Sequence, residues 1–136
     1  MRFTNDIFII ILAIVLFTGC ATIKSNKGKG NTVADLRAEV FTASAYCSCV
    51  KCCKKPPSDK RYGITATGRV AQWGTVAVDR DVIELGSRLR IEGFPDTTFR
   101  AEDVGGGVKG NHIDIWFPSH KEALSFGVKE MVVYRY

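Results

Sequence analysis

Two aspartates, Asp103 and Asp114, bracket the glycine-rich segment of AEDVGGGVKGNHIDIWF; four glycines and one lysine lie between them. Two nearby carboxyls can divide acid–base work, because the charge on one favours the protonated form of the other. Asp114 sits in an apolar run with Ile113, Ile115 and Trp116. An ionised carboxylate there costs desolvation energy unless it is hydrogen-bonded or used. That setting predicts a raised pKa and a proton available to a leaving group. The competing reading makes both aspartates acceptors of backbone N–H groups in tight turns. Asp79, in TVAVDRDVI, precedes Arg80 and Asp81 at a strand end, where turns often use Asp. It divides evenly between a structural and a catalytic role.

The glycine loop itself, Gly105, Gly106, Gly107 and Gly110, permits sharp turns. It does not spell a phosphate-binding loop, because Lys109 precedes a single glycine and then Asn111. No nucleotide or other cofactor is expected. Lys109 is either a donor to the site or a solvated surface lysine. One D-V-G string in so short a chain would need a dimer to build a protease dyad, and the chain reads as a monomer.

Cys47, Cys49, Cys52 and Cys53 fall within seven residues. In an exported chain disulfides are the first reading, with three possible pairings and a strained one between Cys52 and Cys53. A thiolate metal site is the second, although the spacing departs from paired C-x2-C knuckles; no metal is assigned. A cysteine nucleophile paired with His112 or His120 is the weakest. His120 reads as a surface residue in the first turn of a helix.

These groups must be positioned by a mainly β domain. Strands are expected at Val40–Tyr46, Thr75–Val78, Thr98–Val104, His112–Phe117 and Lys129–Tyr134, with Ile83, Leu85, Leu89 and Ile91 spaced by two around a turn at Gly86. One later helix has a capping box, Ser119 with Glu122, a stop at Gly127, and Ala123, Leu124 and Phe126 for its buried side. A second, short helix is a weaker expectation over Ala34–Val40. Closure into a barrel would remove exposed edges, though periodicity alone does not separate barrel from sandwich.

The first residues set a compartment. Ile7–Phe17 is a run of eleven apolar residues, too short for a span of about 17–25 residues and suited to an export signal. It ends in Leu16-Phe17-Thr18-Gly19-Cys20, which resembles a bacterial lipoprotein processing site despite Phe17. The expectation is a signal peptide over residues 1–19, a lipidated Cys20 holding the chain at a membrane, a flexible tether over 20–39, and one domain over 40–136. A plain secretory signal or uncleaved anchor is the alternative. The net charge of +5 is mild and dispersed, a poor match to nucleic acid and a better one to anionic envelope polymers.

From Phe41 onward the motifs FTASAYCSC, KCC, GITATGRVAQWGTVAVDRDVIELGSRLRIEGF, AEDVGGGVKGNHIDIWF and EALSFG resemble the 3D domain family, named for three aspartates. By motif these are Asp79, Asp103 and Asp114. The resemblance implies a small six-stranded double-psi β-barrel with one short helix, related to the catalytic domain of membrane-bound lytic transglycosylase A. It implies a lytic transglycosylase that cuts the MurNAc-GlcNAc bond of peptidoglycan and leaves a 1,6-anhydro end. Asp114 would be the general acid and then the base, with Asp103 its partner. Thr67 and Gly68 would lie along the groove. Trp73, Gln72, Tyr46, His112 and Lys109 are further candidates for sugar contact; core filling competes for Trp73 and barrel closure for Tyr46. Val104 and Glu84 depart from the usual Thr and Pro. The alternative is a wall-glycan-binding module that does not cut, and a weaker third is a purely structural lipoprotein.

Overall fold

The structure, a computed structural model, describes residues 37–136. The expected signal, Cys20 and nearly all of the tether lie outside the described residues. Six strands, β1 (Arg37–Tyr46), β2 (Thr75–Val78), β3 (Arg88–Ile91), β4 (Phe99–Asp103), β5 (His112–Trp116) and β6 (Lys129–Arg135), close into a barrel in the order β1-β5-β2-β4-β3-β6. Two parallel pairs, β1 with β5 and β2 with β4, are joined by antiparallel contacts. This is the double-psi β-barrel that the motifs imply.

The strands form where side chains of opposite character alternate. In β5, Ile113 and Ile115 are fully buried while His112, Asp114 and Trp116 are half-buried on the other face. In β1, Phe41 and Ala43 enter the core and Thr42 and Ser44 face away. Burying each large aliphatic side chain contributes about 1.5–3 kcal/mol, so a one-residue slip of β5 would forfeit both isoleucines and bury Asp114. Phe41, Ile83, Leu89, Phe99 and Val133 complete much of the core.

Three expectations change. Arg37–Val40 belongs to β1, not to a helix or the tether, because it pairs with β6 from Arg37↔Arg135 onward. Ile83–Leu85 is not strand. Val82 and Ile83 N–H groups both donate to the Asp79 carbonyl, and this turn still delivers Ile83 to the core. Leu124 is exposed, whereas Ala123 is buried. The helix is otherwise as expected. It spans α2 (His120–Phe126); Ser119 Oγ accepts the Glu122 N–H at 3.2 Å, and Gly127 ends it with φ 69°. A single turn, α1 (Val50–Cys53), follows β1 and had no signal in the apolar pattern.

Candidate active site

The register of the barrel assembles one row of residues across four neighbouring strands. Ser44 of β1 lies opposite Asp114 of β5, Asp114 opposite Ala77 of β2, and Ala77 opposite Asp103 of β4. The last pairing needs a bulge. Val76 pairs with Ala101, but Ala77 pairs with Asp103, so Glu102 is skipped. Bulges re-aim side chains in this way, and here the extra residue brings Asp103 into the row. Glu102 is buried, and its carboxylate is held by Arg69 Nε at 2.9 Å and by the Thr75 hydroxyl at 3.2 Å. Ala77 contributes only a methyl group between the two aspartates.

Asp103 and Asp114 differ in their partners. Asp103 accepts three hydrogen bonds: from the Tyr46 hydroxyl at 2.8 Å, the Ala66 N–H at 3.0 Å and the Val104 N–H at 2.9 Å. Burial first, and then the Asp103 charge, raise the Tyr46 phenol far above its ordinary value, so Tyr46 stays a donor. Asp114 Oδ1 accepts from the Ser44 hydroxyl at 2.9 Å, and Oδ2 has no hydrogen-bond partner among the described residues. Burial raises its pKa; the Ser44 bond and His112 oppose that, and the Asp103 charge adds to it. The expectation that desolvation on an apolar strand lifts Asp114 therefore matches the structure. Its carboxyl holds a proton to higher pH than an ordinary aspartate.

Ser44 also lies 2.8 Å from His112 Nε2, and His112 Nδ1 lies 3.2 Å from the Gly107 carbonyl. A carbonyl only accepts, so Nδ1 carries hydrogen. Two proton arrangements then satisfy every contact. Protonated Asp114 donates to Ser44, which donates to neutral His112. Alternatively, His112 as a cation donates to Ser44, which donates to ionised Asp114. The proton count is the same in both, so Ser44 can pass a proton between imidazole and carboxyl without a change in total charge. Sequence reasoning missed Ser44. Its signal was the alternation of hydroxyl residues Thr42, Ser44, Tyr46 and Ser48 along β1 and just past it.

Trp116 lies on the same strand face as Asp114, and its indole N–H donates to Ser48 Oγ at 3.0 Å. The turn at residues 65–69 closes beside Asp103. Gly68 has φ 80° and its N–H donates to the Thr65 carbonyl, while the Thr67 N–H donates to the Glu102 carbonyl. The Thr67 hydroxyl lies 3.1 Å from that of Thr65, and Thr67 and Gly68 are exposed.

The other sequence candidates lie apart from this row. Asp79 accepts the Gly110 N–H at 2.8 Å and the Asp81 N–H at 3.2 Å. These bonds hold its carboxyl below the ordinary aspartate range. Asp79 and Lys109 line an open depression of 390 Å³ with Val104 and Val108. Trp73 is 42% exposed but packs edge-on against Phe94, Phe99 and Phe117, and its indole N–H donates to Thr97. It is part of an aromatic cluster and not wholly core filling. In the structure Cys47, Cys49, Cys52 and Cys53 are unbridged, with Cys47 buried and the other three partly exposed. His120, expected on the surface, sits among them, with Nδ1 at 3.4 Å from Cys52 Sγ.

The cell wall-binding protein YocH of Bacillus subtilis (strain 168) is 43% identical over 75 residues, which cover 52% of this chain and 25% of YocH. The SPbeta prophage-derived uncharacterized protein YorM of the same organism is 32% identical over 115 residues, 83% of this chain and 46% of YorM. This chain thus spans a quarter of the one relative and under half of the other. Among solved structures, that of MltA from E. coli is 28% identical, with 60% of this chain and 29% of that chain covered and a TM-score of 0.45. The 3D domain family model matches residues 74–135, the stretch that carries Asp79, Asp103 and Asp114. Over that stretch this chain is similar to the 3D domain family.

Proposed function

We propose that the domain cuts peptidoglycan glycan strands as a lytic transglycosylase, with Asp114 as the catalytic acid and then base. The observation that carries the reading is the asymmetry of the two carboxyls. Asp103 is fixed by three donors, whereas Asp114 has a raised pKa and a free oxygen. Protonated Asp114 delivers its proton to the departing glycosidic oxygen as positive charge develops on the muramoyl ring. The C6 hydroxyl of the same sugar then bonds to the anomeric carbon, and ionised Asp114 takes its proton. The glycosidic bond breaks, the 1,6-anhydro bond forms, and the acid is restored without water. No second carboxylate nucleophile is needed. His112 and Ser44 stabilise ionised Asp114 between the two transfers, and Asp103 biases it back toward the protonated form.

The relatives bear on substrate class. YocH is named as a cell wall-binding protein, which supports wall glycan as the partner and also favours a second reading, a module that grips glycan without cutting it. The 65–69 turn with Thr67 and Gly68 and the Trp116 face beside Asp114 would serve either. On both readings the chain works outside the cell, tethered through a lipidated Cys20. Digestion of purified peptidoglycan followed by mass analysis of the glycan ends separates them. Anhydro ends, lighter by one water than reducing ends, are the expected result. Reducing ends would make the domain a hydrolase, and retained but intact strands would make it a binding module.

A further inference from the structure

We propose that Cys47, Cys49, Cys52 and His120 bind one zinc ion, at a site separate from the aspartates. Their three Sγ atoms and the imidazole Nδ1 all lie within 4.8 Å of one another. Cys47 and Cys52 Sγ are 3.6 Å apart; His120 Nδ1 is 3.4 Å from Cys52 Sγ and 3.7 Å from Cys49 Sγ. A tetrahedral zinc with bonds of about 2.3 Å to sulfur and about 2.0 Å to nitrogen requires S···S edges of about 3.8 Å and S···N edges of about 3.5 Å. These three edges are already near those figures, and the remaining three are no longer than 4.8 Å. A disulfide instead needs its two sulfurs at about 2.05 Å.

The local chain explains the arrangement. Cys49 and Cys52 have the two-residue spacing of a zinc knuckle, and the Cys52 and Cys53 N–H groups both turn back to the Cys49 carbonyl at 3.1 and 2.9 Å. Cys47 enters from the end of β1, buried at 2% exposure. His120 enters as the first residue of α2, directly after its Ser119 cap. Cys53 is not a ligand. Its thiol donates to the Cys47 carbonyl at 3.2 Å. Three thiolates, a neutral imidazole and Zn²⁺ carry one net negative charge, and Lys51, Lys54 and Lys55 are in the same segment. Four protein ligands close the coordination sphere, so the ion is structural and activates no water. It fastens the end of β1 to the start of α2. Ser48, the Trp116 partner, lies between two ligands, and Tyr46, the Asp103 partner, immediately precedes the first.

The test is metal content, which does not depend on whether the domain cuts glycan. The full-length chain, purified without chelator, should contain one zinc per molecule by elemental analysis and native mass. Cobalt exchanged for zinc should give the intense visible bands of a tetrahedral thiolate complex. Cys52→Ser and His120→Ala should lower bound zinc at least tenfold under dialysis, and Cys53→Ser should leave it at one equivalent. A zinc-free wild-type chain, with or without a disulfide among residues 47, 49 and 52, would overturn the proposal. So would full zinc retention in Cys52→Ser. If either ligand variant fails to fold, the wild-type metal content and cobalt spectrum still decide.

Discussion

Asp79 and Asp114 both lie in the stretch that matches the 3D domain family model, yet the barrel treats them in opposite ways. Asp79 stands at the end of β2 in a turn, where two backbone N–H groups meet its oxygens and lower its pKa. Asp114 stands in the middle of β5, where burial raises its pKa and a single hydroxyl meets one oxygen. The same side chain is thus a fixed anion that closes a loop in one place and a carboxyl biased toward keeping its proton in the other. Motif membership does not distinguish these roles. The number and type of donors around each carboxylate do.

The largest expected effect tests that contrast directly. Asp114→Asn should lower formation of anhydro ends by at least the ~10²–10⁴-fold typical of general acid–base catalysis, in a protein that remains folded. Asp79→Asn should lower the melting temperature while the rate per folded molecule stays within a few-fold of wild type, about the scatter of a surface substitution. Equal rate losses in two folded variants would erase the distinction between the aspartates.

The next effect sharpens it by removing the hydroxyl that joins His112 to Asp114 while leaving both of those residues in place. Ser44→Ala should slow turnover by about 10–100-fold, the rate equivalent of about 1.5–3 kcal/mol for a hydrogen bond to a charged group. The pH–rate profile should shift as well, because Asp114 loses a donor that opposes its raised pKa. Ser44→Thr, which keeps the hydroxyl, should recover most of the rate. A folded Ser44→Ala protein with an unchanged pH profile would leave the Ser44–His112 chain without a catalytic role.

The smallest effect is thermodynamic and has opposite signs for the two aspartates. A raised native pKa means that the folded state holds the Asp114 proton more tightly than the unfolded chain. That contribution is fully present below the unfolded value of about 3.9 and is lost as pH rises through the native value. Asp79 contributes above the unfolded value and loses its contribution as pH falls through its depressed native value. Asp114→Asn should therefore raise the melting temperature at about pH 7 and Asp79→Asn should lower it, with both differences shrinking toward about pH 3. Melting curves across that range give the comparison. Matching signs would show that the two carboxyls are not in opposed environments.

Much of this was legible in the sequence for a physical reason. The period-two pattern of β5 places Asp114 on the face opposite Ile113 and Ile115, and Ser119, Glu122 and Gly127 mark α2 by local hydrogen bonding. What the sequence withheld depends on contacts between distant residues. Ser44 meets Asp114 across 70 residues, and His120 meets Cys52 across 68. The skipping of Glu102 depends on how β2 and β4 pair, which no window of either strand contains. Ile83 and Leu85 have strand spacing, but the Asp79 carbonyl captures the chain in a turn before a ladder can form.

The placement of β1 has a consequence for how the molecule comes into being. Both of its neighbours, β5 and β6, lie in the last quarter of the chain. A polypeptide made from its N-terminus therefore holds β1 with both edges unpaired until residues 112–135 have emerged. Closing so long a loop is slow, and an unpaired strand carrying Phe41 and Val40 is open to proteases and to pairing with other chains in the interval. Native pairing can relieve that exposure only after the end of the chain arrives, so the quality of the last strand governs the survival of the first.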